Sequence, residues 1–235
     1  MSSLRITPGV YRHTPIFLPT PGVLVPVAAE PIVYGTRFYL PSSGAAAVSP
    51  SFSADWEDTS IAARLATVTT KIGSAATQVD FGDSSSANRD ILFRQYVSAG
   101  LAVQTITAQI VEIQIRAKQV LFTSNMFLSW GVKAVSNDGT TLRGTLVAVH
   151  RDDLALAMIL TNREDFATST PVTLQDGDRL VFEIGTGGIP LTDHDSSLSI
   201  GDDQGGSDLP HDDVTTTVAD PWIQFSQAIA FQTFG

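Results

Sequence analysis

The chain has 235 residues, 43% hydrophobic and 16% charged, with 18 Gly, 12 Pro, no Cys and a formal net charge of −10. That composition is too apolar for a disordered chain, and a disulfide scaffold needs Cys. The proline content excludes a long coiled coil, and no apolar run approaches the ~20 residues of a spanning helix. The length suits one large all-β domain or two small ones. An apolar excess in an acidic chain points to surface buried against partners.

The charge is unevenly distributed. Arg179 is the last basic residue, and beyond it stand nine acids: Glu183, Asp193, Asp195, Asp202, Asp203, Asp208, Asp212, Asp213 and Asp220. The first 179 residues hold 15 acids and 14 bases. A base-free stretch is unsuited to phosphate, so nucleic acid is not an expected partner. The stretch reads as a solvated acidic loop that keeps the chain soluble. The N-terminus lacks the basic start and apolar core of a secretory signal, and no membrane partner is expected.

Residues 1–31 form the first region. Eight prolines fall within the first 50 residues: Pro8, Pro15, Pro19, Pro21, Pro26, Pro31, Pro41 and Pro50. Proline fixes φ and removes a donor, which excludes a helix or central strand. The segment reads as an extended arm, up to ~90 Å if straight at ~3.1 Å per residue. Its apolar residues, Val10, Ile16, Phe17, Leu18, Val23, Leu24 and Val25, are candidate interface residues, packed on their own domain or on a neighbouring subunit.

Residues 32–235 read as an all-β domain. Thr59–Thr69 is its one candidate helix, with Ile61, Leu65 and Val68 at helical spacing. Ile91–Val97 is a strand. Along Ala102–Lys118 one face carries Ile106, Ala108 and Ile110, after which Val111, Ile113 and Ile115 take the opposite parity. Such a shift means a bulge or a corner between two sheets. Val120–Ala134 is a strand pair or one bent strand. Asn137-Asp138-Gly139 turns into a strand over Thr141–His150. Leu154–Leu160 is a strand, or a short helix capped by Asp152 or Asp153. Gln175-Asp176-Gly177 turns into Asp178–Ile184, with Leu180, Phe182 and Ile184 inward and Arg179, Val181 and Glu183 outward. Residues 185–220 are Gly- and Asp-rich loop with a strand at Leu198–Ile200, and Pro221–Phe231 closes the domain. These elements predict an antiparallel β-sandwich, and the uneven loop lengths favour a jelly roll over a meander.

Few residues suggest chemistry. Asp193, Asp195, Asp202 and Asp203 are candidate Ca²⁺ ligands, although the Gly and terminal Glu of a calcium loop are missing. Zinc through His194 and His211 is less favoured without Cys. Phosphate-loop and nucleophile-elbow patterns are absent. A triad of Ser129, His150 and Asp152 would be arbitrary. Trp56, Trp130 and Trp222 would suit a sugar platform, but dispersed tryptophans usually belong to a core or interface. The expectation is a chain without enzymatic activity or cofactor.

Three segments carry a resemblance: FYLPSSGAAAVSPSFSADWEDTS at Phe38–Ser60, VTLQDGDRLVFEIG at Val172–Gly185, and DLP…ADPWIQFSQAIAF within Asp208–Phe231. Together they resemble a group of tailed-bacteriophage structural proteins. The matching residues are Phe38 to Pro41, Gly177 to Gly185 and Pro221 to Ser226. The resemblance implies a virion structural protein assembled in the host cytoplasm, and a β-sandwich with an extended apolar arm suits a capsid cement or decoration subunit. Its partners would be the major capsid protein and copies of itself, as a trimer or other homo-oligomer. A tail, baseplate or fibre component is the alternative, as is a carbohydrate-binding module.

Overall fold

The computed structural model describes residues 35–84, 87–189 and 193–233. The N-terminal arm, with Val10, Ile16, Phe17, Leu18, Val23, Leu24 and Val25, lies outside them. The described residues form thirteen strands and no helix.

In chain order the strands are β1 (Arg37–Tyr39), β2 (Ala63–Ala66), β3 (Ser74–Phe81), β4 (Arg89–Val97), β5 (Gln104–Ile106) and β6 (Ile110–Gln119). There follow β7 (Met126–Val135), β8 (Leu142–Ala155), β9 (Thr161–Thr168), β10 (Val172–Leu174), β11 (Arg179–Gly188), β12 (Ser196–Asp202) and β13 (Trp222–Phe225). The chain alternates between two main sheets, so the fold is a β-sandwich with long-range pairing rather than a meander. The first sheet is built on β6. Strand β9 pairs along one side of it, β13 and β12 pair in succession along the other, and β1 and β3 extend these outward. The second sheet has the order β2-β4-β11-β7-β8, antiparallel except for β2 beside β4. Strands β5 and β10 form a separate pair.

Alternation explains the core. Val111, Ile113, Ile115 and Ala117 of β6 face inward with Ile223 and Phe225 of β13, against Phe182, Ile184 and Trp130 of the second sheet. Phe38 bridges the layers, its ring 4.9 Å from Phe182 and 6.0 Å from Phe225. Each such side chain contributes about 1.5–3 kcal/mol by burial. The corner falls between Ile106, where β5 ends, and Ile110, where β6 begins in a different sheet, and not between Ile110 and Val111, where the alternation changes parity; Ile110 is exposed. Gly177 supplies the positive φ of the turn into β11, at +83°.

The candidate helix at Thr59–Thr69 does not form, and neither the separate strand nor the alternative helix expected at Leu154–Leu160 does. Within Thr59–Thr69 the chain makes β2, whose edge position beside β4 overrides an apolar spacing only two turns long. Strand β8 runs on to Ala155, and Asp152 does not cap a helix. Its carboxylate accepts from Leu154 N at 3.1 Å and pairs with Arg163.

The outward reading of Val181 and Glu183 is also corrected, since both are buried. Strand β11 is central, and residues 51–56 lie over Glu183. Its carboxylate accepts from Lys133 Nζ (2.8 Å), Gln95 Nε2 (2.9 Å), Trp56 Nε1 (2.9 Å) and Ser53 N (3.1 Å). Lys133 gives its remaining protons to Ser51 O (2.7 Å) and Ser53 Oγ (3.1 Å). Burial alone would raise the Glu183 pKa, but Lys133 and the surrounding donors outweigh it and hold the carboxyl below its ordinary value. A depressed carboxyl stabilises the fold above the unfolded pKa, and that contribution is lost as pH falls through the folded value.

Removing one partner of such a pair costs about 3–5 kcal/mol. Lys133→Met is therefore expected to lower the melting temperature by on the order of 10 °C, and adding Glu183→Leu is expected to recover much of the loss. Calorimetry on the three proteins checks this; an unchanged Lys133→Met midpoint contradicts it.

Candidate functional site

The outer face of the first sheet carries the polar residues that alternate with its core. Arg37, Glu112, Gln114, Arg116, Asn162, Glu164 and Gln224 share this face with Trp222. Residues 203–220 lie across it. Arg37 stacks 3.9 Å over the Trp222 ring and donates to Gln224 Oε1 (2.8 Å) and Asp208 Oδ2 (2.5 Å). Lys71 sits between Asp208 Oδ1 (2.7 Å) and Asp220, and also donates to Gly206 O (2.7 Å). Arg116 donates to Thr216 O (2.5 Å), and Trp222 Nε1 donates to Leu209 O (2.9 Å). The acidic segment is thus docked rather than simply solvated.

These contacts set its protonation. Burial opposes charge on Asp208, but Lys71 and Arg37 outweigh it and lower the pKa. Burial likewise opposes charge on Lys71, but its bonds to Asp208 and Asp220 raise the pKa. The Asp212 carboxyl is lowered to about 2, first by the Thr215 hydroxyl and then by backbone N–H donors.

His211 stands at the centre of this segment. Its ring meets Trp222 edge-on at 5.0 Å. Its Nδ1 lies 2.5 Å from Glu112 Oε1 and 3.7 Å from Glu164 Oε1. One donor atom from each of the three residues falls within 4.8 Å of the others. Burial, and then the Glu112 carboxylate, raise the Glu164 pKa. Among the described residues, no Lys or Arg makes an ion pair with either glutamate.

The four calcium candidates are not brought together. Asp193 and Asp195 precede β12, while Asp202 ends it and Asp203 follows. Seven strand rises separate Asp195 from Asp202, about 23 Å. Asp202 is buried and accepts from Ile72 N and Ser74 N, both at 2.8 Å. Asp203 Oδ1 accepts from Gly205 N at 3.2 Å. His194 and His211 do not pair: His194 is buried without a hydrogen-bond partner on either ring nitrogen.

Ser129 and His150 fall on opposite faces of the second sheet, because Ser129 lies opposite Arg151 and Trp130 opposite His150. Ser129 Oγ donates to Asp90 Oδ1 at 2.8 Å. His150 instead joins Trp130 Nε1 on Asp165 Oδ2, at 3.0 and 2.6 Å, linking β8 and β7 to β9. The tryptophans make no exposed platform, since Trp56, Trp130 and Trp222 are all buried.

At the end of the sandwich where β6 stops and β7 begins, the surface is apolar. Val120, Leu121, Phe122, Leu154, Met158 and Ile159 are exposed there, and Phe122 is 84% exposed. Two backbone hydrogen bonds join the loops of this tip, Gln119 N to Ala157 O and Leu156 N to Met126 O, at 2.9 and 2.7 Å.

No family model and no curated protein matches the chain. Among solved structures it is similar to a CocE/NonD family hydrolase from Staphylococcus aureus, at 9% identity and TM-score 0.44, covering 81% of this chain and 36% of that one. It is also similar to an alpha-amino acid ester hydrolase, at 7% identity and TM-score 0.47, covering 82% and 36%. A third similar structure is the infectious bursal disease virus VP2 subviral particle, at 12% identity and TM-score 0.26, covering 75% and 44%. The chain spans about a third of the hydrolases' length. The expectation of a chain without enzymatic activity is not borne out, since the solved structures it is similar to include hydrolases, and no activity is assigned to the chain from them.

The His150–Asp165 link gives a pH dependence. Both ring nitrogens face acceptors, Asp165 and Ala148 O, which favours the imidazolium. The bond to Asp165 raises the His150 pKa against the opposing effect of burial. A raised histidine stabilises the fold below the unfolded pKa of about 6.5, and that contribution is lost as pH rises through the folded value. Thermal melts should show the native chain exceeding His150→Gln by up to about 1 kcal/mol at pH 6, with the gap narrowing by pH 9. A gap that widens with pH contradicts the assignment.

Proposed function

We propose that the chain is a structural subunit of a tailed-bacteriophage particle, a capsid cement or decoration protein that seats between capsid subunits. The observation that carries this reading is the apolar tip. An exposed apolar cluster of this kind marks an interaction surface, because leaving it in water is unfavourable. Burying Phe122 or Ile159 against a partner contributes about 1.5–3 kcal/mol each before ordering costs. Many such contacts on a symmetric shell act together, so a modest interface per copy suffices. The sandwich supplies a rigid body behind the tip, and the phage resemblance supplies the particle. The partners are the major capsid protein and further copies of this chain.

Phe122→Asp tests the tip without touching the core. Purified heads lacking the chain are titrated with the native and variant proteins, and bound copies are counted per head. The native chain should saturate the heads, and the variant should bind at least tenfold more weakly with an unchanged melting temperature. Equal binding by the two proteins overturns the role of the tip. Native chain that binds tails and not heads overturns the cement assignment in favour of a tail component.

A further inference from the structure

We propose that Glu112, Glu164 and His211 form a zinc(II) site on the outer face of the first sheet, with a fourth coordination position open to solvent. The three residues come from β6, β9 and the docked acidic segment, and His211 stands 99 residues from Glu112. Their donor atoms already lie within 4.8 Å of one another. Tetrahedral zinc with ligands at about 2.0–2.2 Å holds its donors about 3.3–3.5 Å apart. Only small side-chain rotations separate the two arrangements.

The donors select the metal. One imidazole nitrogen and two carboxylates suit zinc, whereas calcium and magnesium prefer six or more oxygen ligands. Three protein ligands with one open position is also the pattern of zinc sites that accept an exogenous ligand.

The surroundings hold the donors in place. Asn162, fully buried on β9, donates to Pro210 O (2.8 Å) and Asp212 O (2.6 Å), the residues on either side of His211. Asn162 Nδ2 shares its two protons among these acceptors and Gln114 Oε1 (2.7 Å), and Gln114 Nε2 donates to Glu112 Oε1 (2.9 Å). One side-chain network therefore orients both His211 and Glu112, as supporting hydrogen bonds do around metal ligands.

Charge balance gives an independent reason. Four other poorly exposed carboxylates meet a fixed cation, Glu183 with Lys133, Asp178 with Arg143, Asp220 with Lys71 and Asp152 with Arg163, and Asp202 is held by the Ile72 and Ser74 N–H groups instead. Glu112 and Glu164 sit together on adjacent strands with only a half-exposed histidine between them. Like charges placed across neighbouring strands destabilise a sheet, and a divalent cation removes that cost.

Isothermal titration of the EDTA-treated, dialysed full chain tests the site, using zinc, calcium and magnesium chlorides in turn. Zinc is expected to bind at one per chain with a dissociation constant of 10 µM or tighter, on the order expected of a three-ligand site, and the other two ions to give no binding heat. His211→Phe keeps an aromatic ring against Trp222, and Glu164→Gln keeps the side-chain shape. Each should weaken zinc binding at least tenfold. Metal-free melts identify any variant that fails to fold, in which case the other variant decides. No zinc uptake by the native chain overturns the proposal, as does undiminished binding by the folded variants, which would place zinc on other donors. The outcome is independent of head binding through the apolar tip.

Discussion

A lysine held between two carboxylates fixes the acidic segment on the sandwich. Lys71 meets Asp208 and Asp220 and also reaches Gly206 O, so one ammonium group gathers both ends of residues 206–220. Arg37 completes the clamp, donating to Asp208 while its guanidinium lies on Trp222. With those contacts made, Trp222 is buried, Leu209 O receives its indole proton, and His211 comes to rest beside Glu112 and Glu164. A segment carrying several aspartates would otherwise repel itself away from the surface.

The same clamp resolves the charge asymmetry of the chain. The acids beyond Arg179 and the bases before it are segregated in sequence but matched in space. Arg37, Lys71, Arg116 and Arg163 all come from the earlier part of the chain and all meet groups of the acidic segment. The second sheet repeats the arrangement under residues 51–56, where Lys133 neutralises Glu183. Both sheets thus have part of their outer polar face covered by irregular chain held through paired charges. Breaking such a pair leaves a charge unsatisfied in a poorly solvated place, which is why loss of one partner is expected to release the covering chain.

Much of the fold was legible because period-2 alternation survives in the sequence. Ile91–Val97 lies within β4, Asp178–Ile184 overlaps β11, and the change of parity along Ala102–Lys118 reflects a break between sheets that lies a few residues earlier than the pattern placed it. What was not legible depends on partners remote in sequence. Glu183 reads as solvent-facing because the covering segment lies 130 residues away at Ser53. The Thr59–Thr69 spacing reads as helical because local pattern does not reveal that β4 offers an edge. The calcium reading relied on nearness in sequence, but β12 carries Asp195 and Asp202 to opposite ends of a strand. His211 drew notice only as a zinc candidate with His194, and Glu112 and Glu164 gave no local signal, since sheet register and the docked segment bring the three together.

Hydrogen exchange of the amides of residues 206–220 tests the docking of the acidic segment most directly. Thr215 O accepts from Asn162 N, and Leu209 N and Asp220 N donate to Asp220 O and Ser207 O, so the bonded amides of the segment should be protected in the native chain. In Lys71→Met they should exchange at least tenfold faster, while β6 and β9 keep their protection. Native exchange in this segment at the unprotected rate, or no change in Lys71→Met, would contradict the account.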